Sequence, residues 1–123
     1  MIISLIVAID QNHAIGRAGD QLAYISDDLK RFKQLTSGHT IAMGRKTFKA
    51  LPKGALPNRR NIVLTRQRHL TFPGCETAGS VQEVLDLCQS NNEIFIIGGG
   101  EIYNLFFPLA NRIYLTRIHH RFD

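Results

Sequence analysis

Three consecutive glycines, Gly98, Gly99 and Gly100, follow an apolar segment and precede a segment with helical spacing. Glycines at the end of a strand let the backbone approach a ligand closely, and the free N–H groups that begin the next helix favour phosphate oxygens. The spacing is GGGE instead of GxGxxG, so the standard dinucleotide fingerprint is absent. A tight turn is the alternative explanation, and this segment alone leaves phosphate binding open.

A second strand-to-helix junction, Met43–Thr47, places cations and a hydroxyl at the start of a helix. Cations at this end oppose the helix dipole, so helix stability does not explain Arg45 and Lys46, whereas an anionic ligand does. Arg66 follows the next predicted strand, which ends at Thr65, and lies at the same sheet edge if the sheet is parallel. Three solvated surface charges are the alternative.

Asp28 is the candidate acid. It lies in the first turn of a predicted helix, where Asp27 already suffices to stabilise the helix dipole. Asp28 also precedes Leu29 and follows a long loop, so it could face an apolar cleft. A carboxylate there can bind an amidine-like pair of N–H groups and assist a proton transfer. A helix-stabilising surface carboxylate is the alternative.

The elements that must position these residues alternate between strand and helix. Strand patterns cover Met1–Ile9, His39–Met43, Asn61–Thr65, Glu76–Ala78, Glu93–Ile97 and Arg112–His119, and helical patterns begin at Ser26, Gly44, Ser80 and Glu101. The alternation predicts an α/β fold with a central, mainly parallel twisted sheet and helices on both faces. Asp10–Ile25 has no period, which predicts a long loop of the kind that forms lids.

The composition narrows the class of protein. The 123 residues are 44% hydrophobic and 20% charged, as in one soluble domain, and no apolar run approaches the ~20 residues of a membrane span. The isolated Cys75 and Cys88 and the absence of a secretory signal predict a cytoplasmic protein with no metal site. The net charge of +5 would attract polyanions. Its basic runs lack interleaved aromatic residues, which argues against nucleic-acid binding.

Six segments in order resemble the bacterial dihydrofolate reductase family. They are ISLIVAID with Asn12 and AIG (14–16), DLKRFKQLT (28–36), IAMGRKTF (41–48), LPNRRNIVLTR (56–66), IFIIGGGEIY (94–103) and IYLTRI (113–118). The resemblance covers the chain as a single domain, residues 1–123. It implies NADPH as the cofactor and reduction of 7,8-dihydrofolate to 5,6,7,8-tetrahydrofolate, by hydride transfer to C6 with protonation of N5.

The resemblance also implies two sets of site residues. Asp28 would bind the pterin N3 and 2-amino group with Thr116 behind it, and Arg59 would bind the α-carboxylate of the glutamate tail. The apolar substrate pocket would consist of Ile6, Val7, Ala8, Leu29, Phe32, Leu51 and Ile97. The cofactor, with its 2′-phosphate on the cations, would contact Ala8, Ile15, Gly44, Arg45, Lys46, Thr47, Thr65, Arg66, Gly98, Gly99, Gly100, Glu101, Ile102 and Tyr103. The peptide between Gly98 and Gly99 would be cis, and Tyr103 would lie near the nicotinamide.

Two features depart from the family pattern. The family's L-P-W-x-L-P-x-D-L corresponds to Gln21–Leu29, which lacks both prolines and the tryptophan; Ala23, or Tyr24 after a one-residue slip, takes the place of the indole. The family's acidic loop and C-terminal β-hairpin are missing, so we expect an incomplete domain with low or absent activity. The strand at Arg112–His119 would then be an exposed edge, and we expect self-association through it.

Three other functions fit parts of the pattern. Another NADPH-dependent reductase of the same fold, such as the riboflavin-pathway reductase domain, is disfavoured by the Asp28 helix and by Arg59. A non-catalytic nucleotide-binding module would bind the cofactor without turnover. A basic nucleic-acid-binding protein would show steep salt dependence with random DNA.

Overall fold

The computed structural model describes residues 1–9, 26–67 and 70–117, in which strands and helices alternate along the chain. The elements are β1 (Ile2–Ile9), α1 (Ser26–Thr36), β2 (Thr40–Gly44), α2 (Arg45–Ala50), β3 (Arg60–Leu64), β4 (Cys75–Ala78), α3 (Val81–Leu87), β5 (Glu93–Ile96), α4 (Gly100–Phe106), a 3-10 turn (Phe107–Leu109) and β6 (Arg112–Arg117). The predicted loop at residues 10–25 lies outside the described residues.

The six strands form one sheet in the order β4-β3-β2-β5-β1-β6, and every neighbouring pair is parallel. The chain first builds outward from β1 through β2, β3 and β4, and then returns to insert β5 between β1 and β2. Parallel strands need crossover connections, and the predicted alternation of strands and helices supplied them. The prediction of a mainly parallel sheet is therefore confirmed.

Alternate residues of the strands pack in two apolar clusters, one on each face of the sheet. The first, called the α4 cluster, is Ile3, Leu5, Val7, Ala42, Ile62, Leu64, Ala78, Val84, Cys88, Ile94, Ile96, Ile102, Tyr103 and Phe106. The second, called the α1 cluster, is Ile6, Phe32, Ile41, Met43, Val63, Phe72, Phe95 and Ile97. Because both faces are covered, strands such as β1 (Ile2–Ile9) are almost continuously apolar.

The helices pack on both faces of the sheet. Phe32 of α1 and Phe48 of α2 pack in or against the α1 cluster, whereas α3 and α4 contribute to the α4 cluster. The helices that follow the adjacent strands β2 and β5 therefore diverge to opposite faces. In open parallel sheets such a divergence opens a crevice at the carboxyl ends of the strands, where ligands bind.

Two hydrogen bonds cap the start of α3. The Glu83 N–H donates to the Ser80 Oγ at 3.1 Å, and the Glu83 carboxylate accepts from the Gly79 N–H. α4 gives way to the 3-10 turn where Pro108 removes a backbone donor. None of the described helices has the length and apolarity that crossing a membrane requires.

Candidate functional site

Four segments at the carboxyl ends of neighbouring strands line one open cleft of about 700 Å³. They are the β2–α2 junction, the segment after β3, the β4–α3 junction and the β5–α4 junction. We call this feature the carboxyl-edge cleft, and its lining residues are Gly44, Arg45, Lys46, Thr47, Leu64, Thr65, Arg66, Gln67, Gly79, Ser80, Val81, Gly99, Gly100, Glu101, Ile102 and Leu105.

The cleft brings together most of the residues that the sequence assigned to a cofactor. Those that line it are Gly44, Arg45, Lys46, Thr47, Thr65, Arg66, Gly99, Gly100, Glu101 and Ile102. Gly98 and Tyr103 are buried beside the cleft without lining it. Ala8 belongs to β1, but its side chain lies outside the described part of the chain, as does the whole of Ile15.

The glycine bend after β5 brings two backbones into close contact. The peptide between Gly98 and Gly99 is cis, as predicted, and Gly98 has φ +125°. The Gly44 N–H donates to the Gly98 carbonyl at 2.9 Å, which ties the bend to the end of β2. A Cβ on Gly44 would lie 3.0 Å from the Ile102 Cγ1, so α4 packs directly on this glycine. The bend therefore presents backbone, not side chains, to the cleft at Gly99.

Tyr103 supports the glycine bend from the interior. Its hydroxyl shares its proton between the carbonyls of Ile6, at 2.6 Å, and Ile97, at 2.9 Å. A Cβ on Gly98 would lie 3.1 Å from the Tyr103 Oη. Burial raises the pKa of this phenol well above its ordinary value, so the hydroxyl stays neutral and acts as a donor. Tyr103 thus joins the middle of β1 to the residue that follows β5, beneath the bend.

The cations of the cleft have no ion-pair partner among the described residues. The Arg45 Nη1 donates to the Gln67 Oε1 at 2.7 Å, and this partner is a neutral amide. Arg45, Lys46 and Arg66 take part in neither of the ion pairs found in the described ranges, which are Arg60–Glu76 and Arg112–Glu93. Three positive groups on two neighbouring segments, Arg45 and Lys46 after β2 and Arg66 after β3, suit a ligand with several anionic oxygens.

Some lining residues were missed by the sequence predictions. They are Leu64, Gln67, Gly79, Ser80, Val81 and Leu105. Gly79 and Ser80 form the β4–α3 junction, and the rule that placed the other junctions at the carboxyl edge would have found them. Gln67 carries a weaker signal, because its contact with Arg45 spans 22 positions and depends on the pairing of β2 with β3.

The residues predicted to bind the substrate divide between the two faces of the sheet. Ile6, Phe32 and Ile97 belong to the α1 cluster, and Leu51 packs against it. Val7 is the exception, because its side chain packs in the α4 cluster on the opposite face. Successive side chains of a strand point to opposite faces, so Ile6 and Val7 cannot both contribute side chains to one apolar wall.

Arg59 lies at the margin of the α1 cluster. Its Nε donates to the Pro57 carbonyl at 2.9 Å and its Nη1 donates to the Thr36 Oγ1 at 3.1 Å. The guanidinium carbon lies 5.9 Å from the centre of the Phe32 ring. Partial burial lowers the pKa of the Arg59 guanidinium, although the group remains charged at neutral pH. An anion that reaches Arg59 would thus meet a partly desolvated, oriented guanidinium.

The structure locates Asp28 and its predicted partner Thr116 only by the elements to which their backbones belong. Asp28 lies in the first turn of α1, and Thr116 of β6 pairs with Ala8 of β1. The side chains of Asp28, Thr116, Ala8 and Leu29 lie outside the described residues, and their roles stay predictions.

A family model, sequence relatives and a solved structure all relate this chain to the same family. A family model described as dihydrofolate reductase matches residues 2–123. The chain is 46% identical to the dihydrofolate reductase of Bacillus subtilis over 121 residues, which cover 98% of this chain and 71% of the relative. It is 44% identical to that of Staphylococcus haemolyticus, covering 98% of this chain and 72% of the relative.

A solved structure agrees with the fold. It is the dihydrofolate reductase from Enterococcus faecalis complexed with NADP(H) and RAB-propyl, with a TM-score of 0.85 and 32% sequence identity. The match covers 99% of this chain and 73% of that chain. None of these matches favours the alternative functions that the sequence left open.

Proposed function

Because the chain belongs to the dihydrofolate reductase family, it is an enzyme that reduces 7,8-dihydrofolate to 5,6,7,8-tetrahydrofolate with NADPH, and we propose which residues hold the two reactants. One observation carries the proposal. The carboxyl-edge cleft and the α1 cluster meet at the end of β5, where Ile97 belongs to the cluster and Gly99 lines the cleft. Ligands in the two regions would therefore approach each other at the glycine bend.

The carboxyl-edge cleft is assigned to NADPH. Its fit rests on three cations without an ion-pair partner among the described residues and on the bare backbone at Gly99. Arg45 and Arg66 suit the 2′-phosphate that distinguishes NADPH from NADH, because a guanidinium can bind a phosphate through two hydrogen bonds. Thr47 and Thr65 offer hydroxyl groups at the same edge. Tyr103 supports this region by holding the bend, and we keep its predicted position near the nicotinamide as a proposal.

The α1 cluster is assigned to the substrate. Ile6, Phe32, Leu51 and Ile97 would supply its apolar wall, and Arg59 would bind the α-carboxylate of the glutamate tail. Val7 would contribute through its backbone, since its side chain packs on the other face. Asp28 would bind the N3 and the 2-amino group of the pterin.

The chemistry follows from orientation and charge. When bound, NADPH supplies the hydride that reaches C6 of the pterin. Holding two reactants in attack geometry lowers a barrier by ~7 kcal/mol or more, and this is the contribution we assign to the cleft and the cluster together. The negative charge of Asp28 favours the pterin protonated at N5, and the apolar surroundings strengthen that attraction. The residues thus position the rings and stabilise the developing charge.

Asp28→Asn tests the assignment of the acid. We expect the variant to slow hydride transfer by at least ~100-fold, the lower end of general acid–base contributions, in stopped-flow oxidation of NADPH by dihydrofolate. Asp27→Asn is the matched control, because it removes a neighbouring carboxylate from the same helical turn. A rate for Asp28→Asn within a few-fold of the parent would refute its role. An unmutated chain that binds NADPH but not dihydrofolate in calorimetry would instead refute the assigned function.

We also propose that β6 pairs with a second copy of the chain. Ile113 and Leu115 are 48% and 53% exposed, and in the described sheet β6 has β1 as its neighbour on one side. An apolar strand with an open edge is a template for further pairing. Sedimentation should show association that increases with protein concentration, and a monomer at high concentration would contradict it.

The domain assignment and the cellular location are also proposals. The chain is assigned as one domain, residues 1–123, because its described strands share a single sheet. A cytoplasmic location is supported by Cys75 and Cys88, which are both free thiols.

A further inference from the structure

One buried side chain holds the loop that carries Arg59. Asn61 lies in β3 and is only 3% exposed. Its Nδ2 donates to the carbonyls of Leu56 and Arg59, each at 2.9 Å, and its Oδ1 accepts from the Leu56 N–H at 2.9 Å. The amide thus bonds both ends of the segment from Leu56 to Arg59.

That segment has few other constraints on its backbone. It contains Pro57, which has no N–H to donate, and Asn58, which has φ +60°. The Asn58 carbonyl accepts from the Gly38 N–H at 2.8 Å. The two carbonyls bonded by Asn61 would lose their donor if the amide were removed, and buried polar groups are costly to leave unpaired. Asn61 therefore determines the shape of this turn.

The shape of this Leu56–Arg59 segment determines where the Arg59 guanidinium lies. One of its two hydrogen bonds goes to the Pro57 carbonyl, which is inside the segment that Asn61 holds. The other goes to Thr36 of α1, which lies outside it. If the turn shifted, the Arg59 Cα and the Pro57 carbonyl would move while Thr36 and Phe32 stayed in place.

We propose that Asn61 is a positioning residue for substrate binding, which sets the Arg59 guanidinium at the place where it meets the α-carboxylate of the glutamate tail. The inference rests on the proposed role of Arg59. Pairing of a guanidinium with a carboxylate is directional, so a displaced Arg59 would bind the tail less well even though its charge is unchanged. The pterin and the cofactor, which contact other elements, would be unaffected.

The test compares two ligands that differ in the tail. The dissociation constants of 7,8-dihydrofolate and of 7,8-dihydropteroate, which lacks the glutamate, are measured by calorimetry for the parent, Asn61→Ala, Arg59→Ala and the double variant. We expect Asn61→Ala to weaken dihydrofolate binding by roughly five- to tenfold and to leave dihydropteroate and NADPH binding unchanged. In the Arg59→Ala background, Asn61→Ala should have no further effect on dihydrofolate binding.

A structural role alone would give a different pattern. Asn111→Ala is the control. The Asn111 Oδ1 accepts from the Ile3 N–H at 2.9 Å, next to the amino end of β6, so this substitution removes a hydrogen bond between an Asn side chain and the backbone elsewhere in the fold. If Asn61→Ala does not fold, Asn61→Ser keeps a hydroxyl at the site and replaces it in the same cycle. Equal losses for both substrates, or losses that add to those of Arg59→Ala, would overturn the inference.

The proposed function and the inference fail in distinguishable ways. If Arg59→Ala weakens both substrates equally, the assigned role of Arg59 is wrong and the inference falls with it. If Arg59→Ala discriminates between the substrates and the Asn61 variants do not, only the inference is wrong.

Discussion

Arg45 and Arg59 are both assigned to anionic groups of ligands, but their surroundings differ. Arg59 is partly buried and contacts Thr36, the Pro57 carbonyl and the Phe32 ring. Arg45 lines an open cleft and has a single described hydrogen-bond partner, the exposed Gln67. A charge in an open cleft is screened by salt, whereas a partly buried one is screened much less. The cleft thus depends on summed charge, and Arg59 depends on orientation.

The two regions also differ in how they are assembled. The cleft consists of the ends of neighbouring strands, each followed directly by the residues that line it. Arg59 is held by a residue of α1 and by a turn that Asn61 of β3 stabilises. Loss of one cleft cation leaves the others in place, while loss of one support of Arg59 displaces the whole group.

The largest expected effect is at Gly98, in the glycine bend where the carboxyl-edge cleft meets the α1 cluster. Gly98→Ala places a side chain at φ +125° and 3.1 Å from the Tyr103 Oη. Backbone strain of about 1–3 kcal/mol and overpacking of a similar size should lower the free energy of unfolding by ~2–6 kcal/mol in urea titration. Binding of both NADPH and dihydrofolate should weaken.

Gly100→Ala is the matched control for the stability measurement. A Cβ there meets no atom within 4 Å, so we expect the free energy of unfolding to change little. If Gly98→Ala unfolds at the parent's urea concentration, the bend is not the rigid junction between the two regions.

The next effect separates the two arginines. Arg45→Ala should weaken NADPH binding by about 1.5–3 kcal/mol, the usual contribution of a hydrogen bond to a charged group, and the loss should shrink at high salt. NADH and dihydrofolate binding, measured by the same calorimetric titration, should not change. A loss shared by NADH would remove Arg45 from the 2′-phosphate site.

A smaller effect is expected from the neutral partner of Arg45. Gln67→Glu places a carboxylate beside the guanidinium, which would neutralise it and repel a phosphate; we expect a loss of about 1 kcal/mol or less in NADPH binding, largest at low ionic strength. Gln89→Glu makes the same charge change at an exposed position outside the cleft lining. Equal losses for the two variants would mean that only net charge matters.

The smallest effect concerns an ion pair apart from both regions. The Arg60 guanidinium bonds to Glu76 and holds the pKa of that carboxyl below its ordinary value of 4.5. The unfolded chain therefore binds more protons than the folded one in this range, so the stabilisation is present above pH 4.5 and is lost as the pH falls through the lower folded value. Because the Arg60 and Glu76 side chains are 34% and 44% exposed and so partly screened by solvent, the ion pair should be worth less than about 1 kcal/mol.

Glu76→Gln should flatten the acid side of the stability curve, measured by urea denaturation from neutral pH to about pH 3, and leave ligand affinities unchanged. A parent curve that is already flat would show that this pair contributes nothing to folding.

The sequence predicted the parts of the site that depend on neighbours along the chain. The glycine bend and the cations after β2 follow their strands directly, and parallel strands bring such segments to one edge. The sequence did not show that the Val7 side chain packs in the α4 cluster, because the face of a strand residue depends on which neighbours cover each side. Gln67 and Asn61 were missed because an amide acquires a role only from what the fold places beside it.

The order of strands and helices, the family and the candidate reactants were determined by the amino-acid sequence itself, because periodicity and short motifs are local properties. The contacts of Tyr103 with a carbonyl 97 positions away, of Arg45 with Gln67 and of Asn61 with the Arg59 turn were decided only by the tertiary structure. Strand register and side-chain packing are collective, and each such contact exists only when several elements have assembled together.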